Sequence, residues 1–409
     1  MLKDIKKESA SQVLLIAAIS GACVVQDAML YVALPVHMQE AGLSSLLEVG
    51  FLLSLNRLVR LPVNPLAGWV YSKISAKKCV VGACLAAVCI AACSALAHTF
   101  FAWILLRAAW GIVWAFLKMG SLFTVMGVSD DTNRGCLMGL YTGTYRIGSL
   151  LGMLGGGIIA DFFGLKYACL CGMALSGCAA ILAMTRLRPT LPMQNERKQA
   201  SSSSRFPLLF SHDFLKIVLS CMVVSLIVEG FLASTLSAYL HSTAGETISL
   251  FGLSIGCAAA AGAVQSLRWA WNPFLSPLIG RISDRSKNRN IIFAVSCFFS
   301  AALFAASALS LPLPLLAAVL IGIELGSTSL TTLSDALAAD LASCSQTVFV
   351  ITAYTFVVDL GAALGPFGGF AVVSMIGIEN SYAAAGIILA LLGTLWIAKS
   401  AGGSIMKRI

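Results

Sequence analysis

Charge is what this 409-residue chain has least of. Asp, Glu, Lys and Arg together make up 11% of it, against roughly 25% in a soluble domain. A water-soluble globule cannot clothe its surface with so few charges. The 58% apolar content excludes a disordered chain as well. Histidine is scarce too: His37, His98, His212 and His241 are scattered, with no ligand spacing. There is no CxxC pair, no Gly-x-Ser-x-Gly, no HExxH and no phosphate-cradling glycine loop. A soluble-type enzyme, a metal centre and a bound cofactor therefore have no residues to rest on. The 13 cysteines are odd in number and sit almost all inside apolar runs, such as Cys84, Cys89 and Cys93. They read as small buried apolar residues, not as a disulfide framework.

What is present instead is long apolar runs. A spanning helix needs roughly 20 such residues. Twelve candidates occur, at 12–37, 45–71, 78–97, 100–127, 136–161, 165–185, 213–240, 248–280, 290–310, 314–339, 346–375 and 380–399. The first follows Lys3, Lys6 and Lys7 in the manner of a signal peptide. Its apolar run is too long and no small-residue cleavage site follows, so it is expected to be a retained helix. The segment 248–280 is longer than one span and is expected to kink, tilt or project from the bilayer, with Pro273 and Pro277 compatible with a kink.

The one substantial polar stretch is 186–212, which is basic, Ser-rich and contains Pro189, Pro192 and Pro207. It reads as a flexible linker. The expected organisation is a six-helix bundle over 1–185, the linker, and a second six-helix bundle over 213–409. With the amino terminus in the cytoplasm, 20 of the 27 Lys and Arg fall in inner segments, one (Lys166) in an outer loop and six inside spans. That asymmetry predicts a multi-pass protein with both termini cytoplasmic. The net charge of +9 is then an orientation signal and not a nucleic-acid footprint.

The halves repeat each other. YTGTYRIGSLLGMLGG (141–156) and YTFVVDLGAALGPFGG (354–369) match at a constant offset of 213, both in the fifth span of their half. At the end of each second span, Pro65 and Pro277 precede Gly68 and Gly280 by three residues. Six spans return the chain to its starting side, so the repeats are parallel. Gly148, Gly152 and Gly156, and Gly361, Gly365 and Gly369, recur every four residues on one helix face and allow close helix approach. Two readings stay open for them: plain helix packing, or a surface along which the halves rock.

These features resemble the major facilitator superfamily over essentially the whole chain. The loop after the second span of the second half, GRISDRSKNRN, carries Gly280, Asp284, Arg285 and Arg289 in the pattern of that family's loop motif. The first-half copy, GWVYSKISAKK, keeps Gly68, Lys73, Lys77 and Lys78, with Ser72 where Asp is usual. RAAWGIVWA, with Arg107, Gly111 and Ala115, looks like the family's fourth-span pattern. GSLLGMLGG resembles the glycine motif of its proton-coupled exporters, with Pro366 at the equivalent place of the second half. The resemblance implies an all-α membrane fold of two pseudo-symmetric six-helix bundles, no cofactor, and a loop motif that gates the halves.

An ionisable side chain inside a span is costly unless paired or wet, so each one is a candidate for function. The first half holds Arg57, Arg60, Arg107, Lys118 and Arg146 against Asp27; the second holds Glu229, Glu324, Asp335 and Asp359 against Arg268. Helical spacing puts Arg57, Arg60 and Asn64 on one face, Arg107, Trp114 and Lys118 on another, and Glu324, Thr328, Thr331 and Asp335 on a third. Such stripes suit a water-filled cavity; the plain alternative is buried ion pairs. Arg107 is expected to face the cavity. Arg146 and Asp359, equivalent across the repeat, are expected to meet across the halves, the alternative being local pairs to Asp27 and to Arg57 or Arg60. A carboxylate in a partly dry cavity can exchange a proton near neutral pH, and Asp27, Glu229, Glu324 and Asp359 are the candidates. The sequence thus points to a monomeric, proton-coupled secondary transporter of a small solute in the inner membrane. Export of drugs or metabolites, uptake or exchange of an anionic or zwitterionic solute, and a non-transporting sensor or assembly factor are the readings, in that order.

Overall fold

In hydrocarbon a backbone must satisfy its own hydrogen bonds, which makes helices of the apolar runs. A computed structural model of the chain describes residues 7–129, 134–188, 212–245, 247–250, 253–286, 288–343 and 347–400. Residues 189–211 of the expected linker lie outside the described residues. The first half contains α1 (Lys7–Ala33), α2 (Leu46–Tyr71), α3 (Ala76–Ser94), α4 (Phe100–Val128), α5 (Arg134–Phe163) and α6 (Leu165–Arg186). The second contains α7 (His212–Ser225), α8 (Ala233–Ala244), α9 (Cys257–Arg285), α10 (Arg289–Ser307), α11 (Leu313–Ser343), α12 (Thr347–Ile376) and α13 (Ile378–Ser400). A π-helical stretch, Leu226–Leu232, joins α7 to α8 as one span, giving twelve spans in all. Among the described residues ten helices are long and apolar enough to cross a membrane. The other two, α2 and α9, carry Arg57 and Arg60, and Arg268. The protein is a multi-pass, all-α membrane protein.

One sequence expectation is corrected here. The segment 248–280 is not one over-long helix. Thr247–Leu250 and Leu253–Gly256 pair as an antiparallel hairpin, β1 and β2, with Thr247 opposite Gly256. The alternation of Ile248 and Ile255 with small polar neighbours suits strands. Helix α9 starts only at Cys257, after the extended Gly256. It runs through Pro273 and Pro277 as a single helix, so the excess length is taken up by the hairpin.

The glycine ladders settle which surfaces are fixed. A Cβ at Gly148 would lie 2.1 Å from the carbonyl oxygen of Gly21, one at Gly152 2.5 Å from that of Val25, and one at Gly156 2.0 Å from the Met29 Cβ. All three neighbours belong to α1 of the same half. Gly361 and Gly365 press in the same way on Met222 and Leu226, and Gly369 on the Phe231 ring. The ladders therefore pack each half internally, and the reading of them as the rocking surface is overturned.

Among the described residues, the closest backbone contacts between halves lie elsewhere, toward one side. We call the side where α1 begins the amino side and its opposite the far side. Near the far side, a Cβ at Gly157 would meet the Ala258 carbonyl oxygen at 2.5 Å, one at Gly262 that of Met153 at 2.1 Å, and one at Gly50 that of Pro366 at 2.8 Å. The Phe367 N–H donates to Ser54 Oγ across the same seam at 2.9 Å. Toward the amino side, Gly68, Gly139, Gly143 and Gly280 have no neighbouring atom within 4 Å of such a Cβ. Among the described residues the halves thus meet closely at the far side, while toward the amino side Gly139 and Gly143 of the first half and Asn272, Pro273, Ser276 and Pro277 of the second line an open cavity between them. Large apolar side chains such as Phe101, Phe162 and Met375 stand on the outer surface, where lipid would cover them.

Candidate functional site

The parted halves enclose a cavity. Its deep part, about 190 Å³, is walled by Asp27, Tyr31, Arg57, Arg60, Trp114 and Lys118 on the first half and by Glu229, Gln265, Arg268, Trp269, Glu324 and Asp359 on the second. A wider part of about 750 Å³ shares Arg57, Tyr145, Glu229, Arg268, Trp269 and Asp359 with it. It reaches Gly139 and Thr142 of α5 and Ser276 and Pro277 of α9, near the amino side.

The first wall is organised around Asp27, which is 8% exposed. Gly111 lets α4 lie on α2: a Cβ there would sit 2.5 Å from the Asn56 carbonyl oxygen. That approach brings two donors to one oxygen. Arg107 Nη2 donates to Asp27 Oδ1 at 2.7 Å, and Asn56 Nδ2 donates to the same atom at 2.8 Å. Arg60 Nη2 donates to Asn56 Oδ1 at 3.0 Å and lies 4.0 Å from Asp27 Oδ2. Arg57 points away from this cluster, donating to the Tyr31 hydroxyl at 2.9 Å.

The second wall is acidic. Glu229 sits in the π-helical stretch and pairs with Arg268 of α9. The extra residue of a π-turn shifts the register of the side chains around it, and Gly230 next to it lets Gly365 approach closely. Glu324 of α11 is 2% exposed, and its Oε2 is buried without a hydrogen-bond partner among the described residues. Asp335 accepts a hydrogen bond from the Tyr354 hydroxyl. The Trp269 face carries two guanidinium groups, Arg268 and Arg146, each 5.0 Å from its ring centre. Arg146 belongs to the first half, so this cation–π contact crosses the cavity.

Two sequence expectations change here. Arg107 does not line the cavity. It is 2% exposed and lies behind Asp27, which it holds in place. Arg146 and Asp359 both line the wider cavity, yet no ion pair within 4.0 Å joins them, nor Arg146 to Asp27 or Asp359 to Arg57 or Arg60, among the described residues. Arg146 is taken up by Trp269 instead. The loop motifs also differ between halves. Ser72 ends α2 and its hydroxyl donates to the Trp69 carbonyl oxygen at 2.6 Å, while the Lys73 ammonium lies 4.0 Å from the Trp69 ring centre. In the second half, Asp284 and Asp340 both pair with Arg289. Gly68 and Gly280 face open space.

Sequence reading passed over Asn56, Tyr31, Tyr145 and Trp269. Asn56 was open to the rule that singled out the charges, being polar in an apolar span and one residue from Arg57. The aromatic residues carry no such signal, because an aromatic side chain in a membrane helix is ordinary.

Comparison with known proteins agrees with this architecture. The family profile described as Major Facilitator Superfamily matches residues 16–272. A protein named "Multidrug resistance protein MdtG" from Klebsiella pneumoniae (strain 342) is 24% identical over 259 residues, 62% of this chain and 60% of that protein. The protein of the same name from Dickeya zeae (strain Ech586) is 25% identical over 60% of this chain and 58% of its own length. The match therefore spans about three-fifths of these relatives. Among solved structures, a POT family transporter in complex with 5-aminolevulinic acid superposes with a TM-score of 0.74 at 12% identity, covering 95% of this chain and 96% of the other. Peptide transporter POT in complex with sulfate gives a TM-score of 0.75 at 13% identity, covering 95% and 94%. At these identities the structures show the fold alone.

Proposed function

Because the chain belongs to the Major Facilitator Superfamily, we propose that it is a secondary transporter that exports small drug-like or metabolite solutes in exchange for protons by alternating access. The carrying observation is a charged cavity in the middle of a membrane protein, closed at one end and open at the other. A site reached from one side at a time is what alternating access requires. The concentration of Lys and Arg on amino-side segments supports a cytoplasmic amino side. The cavity then faces the cytoplasm, the side from which an exporter loads. The names of the relatives support drugs as the solute class. Asp27, Glu229, Glu324 and Asp359 are the proposed proton carriers. The protein acts as a monomer in this reading, since one chain supplies both walls.

A second reading, uptake or exchange of an anionic or zwitterionic solute, is favoured by a specific feature. Arg57, Arg60 and Lys118 line the first wall, and Arg57 and Lys118 make no ion pair within 4.0 Å among the described residues. Guanidinium groups fork onto carboxylates and phosphates. A thermal-shift screen of the purified protein against lipophilic cations, organic anions and zwitterions tests both readings. The export reading expects the midpoint to rise with lipophilic drug-like solutes, and that rise to survive Arg57→Ala. A rise confined to anions or zwitterions and lost in Arg57→Ala would replace it with the second. No rise with any class would count against a solute site in this cavity.

A further inference from the structure

The far-side seal ends in a cluster that lies outside the cavity. The short segment after α1 carries His37 and Glu40. His37 Nε2 is 3.2 Å from Asp161 Oδ1, at the far end of α5, and Nδ1 is 3.4 Å from Glu40 Oε1. Glu40 Oε2 accepts from the Leu165 N–H at 2.8 Å, which fixes this segment to the start of α6. All of these residues belong to the first half. The other oxygen of Asp161 reaches the second: Oδ2 accepts from the Ala259 N–H at 2.7 Å, in the first turn of α9. The carboxylate is pressed on the chain there, since a Cβ at Gly256 would lie 2.2 Å from Oδ2. One carboxylate thus holds His37 with one oxygen and the opposite half with the other.

The ring faces acceptors on both sides. A doubly protonated imidazole donates to both Asp161 and Glu40, whereas a neutral one has a single N–H and turns a lone pair to the other carboxylate. We propose that His37 is a proton-binding site that, when charged, aims Asp161 at the start of α9 and holds the far-side seal shut. The titratable groups around the ring are Glu40 from its own segment and Asp161 from α5. Cys257 of α9 lies beyond Asp161, and His98 Nδ1 is 3.2 Å from the Glu40 carbonyl oxygen. Burial of the ring opposes its charging, but the Asp161 and Glu40 carboxylates outweigh burial and hold its pKa above the ordinary histidine value. The sign follows from that direction. The charged latch is fully present below the ordinary value and is lost as pH rises through the raised one. Acid at the far side closes the seal and alkali loosens it. The proposal rests on alternating access, since only a seal that opens needs a latch.

Cys257 is a built-in reporter. It is fully buried at the seam beside Asp161, and Sγ donates to the Gly245 carbonyl oxygen at 2.9 Å. A membrane-impermeant maleimide applied from the far side reaches it only when the seal parts. Labelling of Cys257 is quantified by mass spectrometry in wild type, His37→Gln and Asp161→Ala at pH 5.5 and 8.5. The ratio of variant to wild type at each pH removes the intrinsic pH dependence of the thiol. Cys297, fully buried in the second bundle, reports unfolding in the same sample. The expected result is a His37→Gln ratio of about ten or more at pH 5.5, corresponding to about 1.4 kcal/mol of lost latch, falling towards one at pH 8.5. Asp161→Ala should label faster than wild type at both values. A His37→Gln ratio that does not depend on pH, with Asp161→Ala still labelled, would overturn the proton site and leave alternating access standing. Absence of labelling in every variant and at both values would overturn both.

Discussion

Glu324→Gln should abolish proton-driven accumulation of solute while leaving solute binding and downhill exchange in place. Glu324 lies in the deep wall of the cavity, 2% exposed, with Oε2 unpartnered among the described residues. Glu229 and Arg268 stand close by, already paired to each other. A buried carboxylate with an unpartnered oxygen is costly in its charged form, and the balance changes when the cavity changes the side to which it is open. Glutamine keeps the shape of the side chain and cannot carry a proton. A difference of one pH unit is worth about 1.4 kcal/mol per proton, or a tenfold solute gradient. Wild-type protein in vesicles with such a difference should sustain a gradient of up to about that size. The Gln variant should sustain none, yet still exchange labelled for unlabelled solute. An undiminished gradient in the variant would move the proton to Asp27, Glu229 or Asp359.

Arg107→Ala should be the most damaging substitution to the fold of the site. Arg107 reaches Asp27 through one nitrogen, and removing it leaves Asp27 with Asn56 as its remaining hydrogen-bond donor. Breaking a buried pair in this way costs about 3–5 kcal/mol, mostly because one charge is left alone. A lower thermal midpoint and loss of transport are both expected. Arg107→Lys should recover part of the stability, because a single nitrogen at Asp27 Oδ1 is all the contact needs. The double variant Asp27→Asn with Arg107→Gln, which removes both charges, should be more stable than Arg107→Ala. If the double variant is instead the less stable, the pair is not what holds this wall.

Most of the architecture was legible because the bilayer imposes a simple rule on sequence. Twelve apolar runs near 20 residues gave the spans, and the constant offset between Gly148 and Gly361 showed the two halves. The rule failed at 248–256 because a short run of apolar and small residues reads alike as strand or helix. The π-helical stretch around Glu229 was invisible, since one inserted residue in a span apolar on nearly every face leaves no periodic trace. The intramembrane charges were legible as a set but their partners were not. Asp27 meets Arg107 because Gly111 lets two helices touch, a three-body geometry that spacing along one helix does not carry. Arg146 meets Trp269 of the opposite half and not the symmetry-related Asp359, a choice of partner that equivalence of sequence position does not carry. Pseudo-symmetry in sequence fixes equivalent positions, whereas contacts between the halves depend on which end is sealed.

Proton movement driven by solute is the most direct test of the account. Vesicles containing the purified protein and a pH-sensitive dye, with no imposed gradient, receive from outside a solute that raises the thermal midpoint. Exchange of solute for protons predicts that its entry drives protons out, so the lumen turns alkaline. The change should be absent in Glu324→Gln. Solute entry without any pH change would contradict proton coupling, and binding without entry would contradict transport itself.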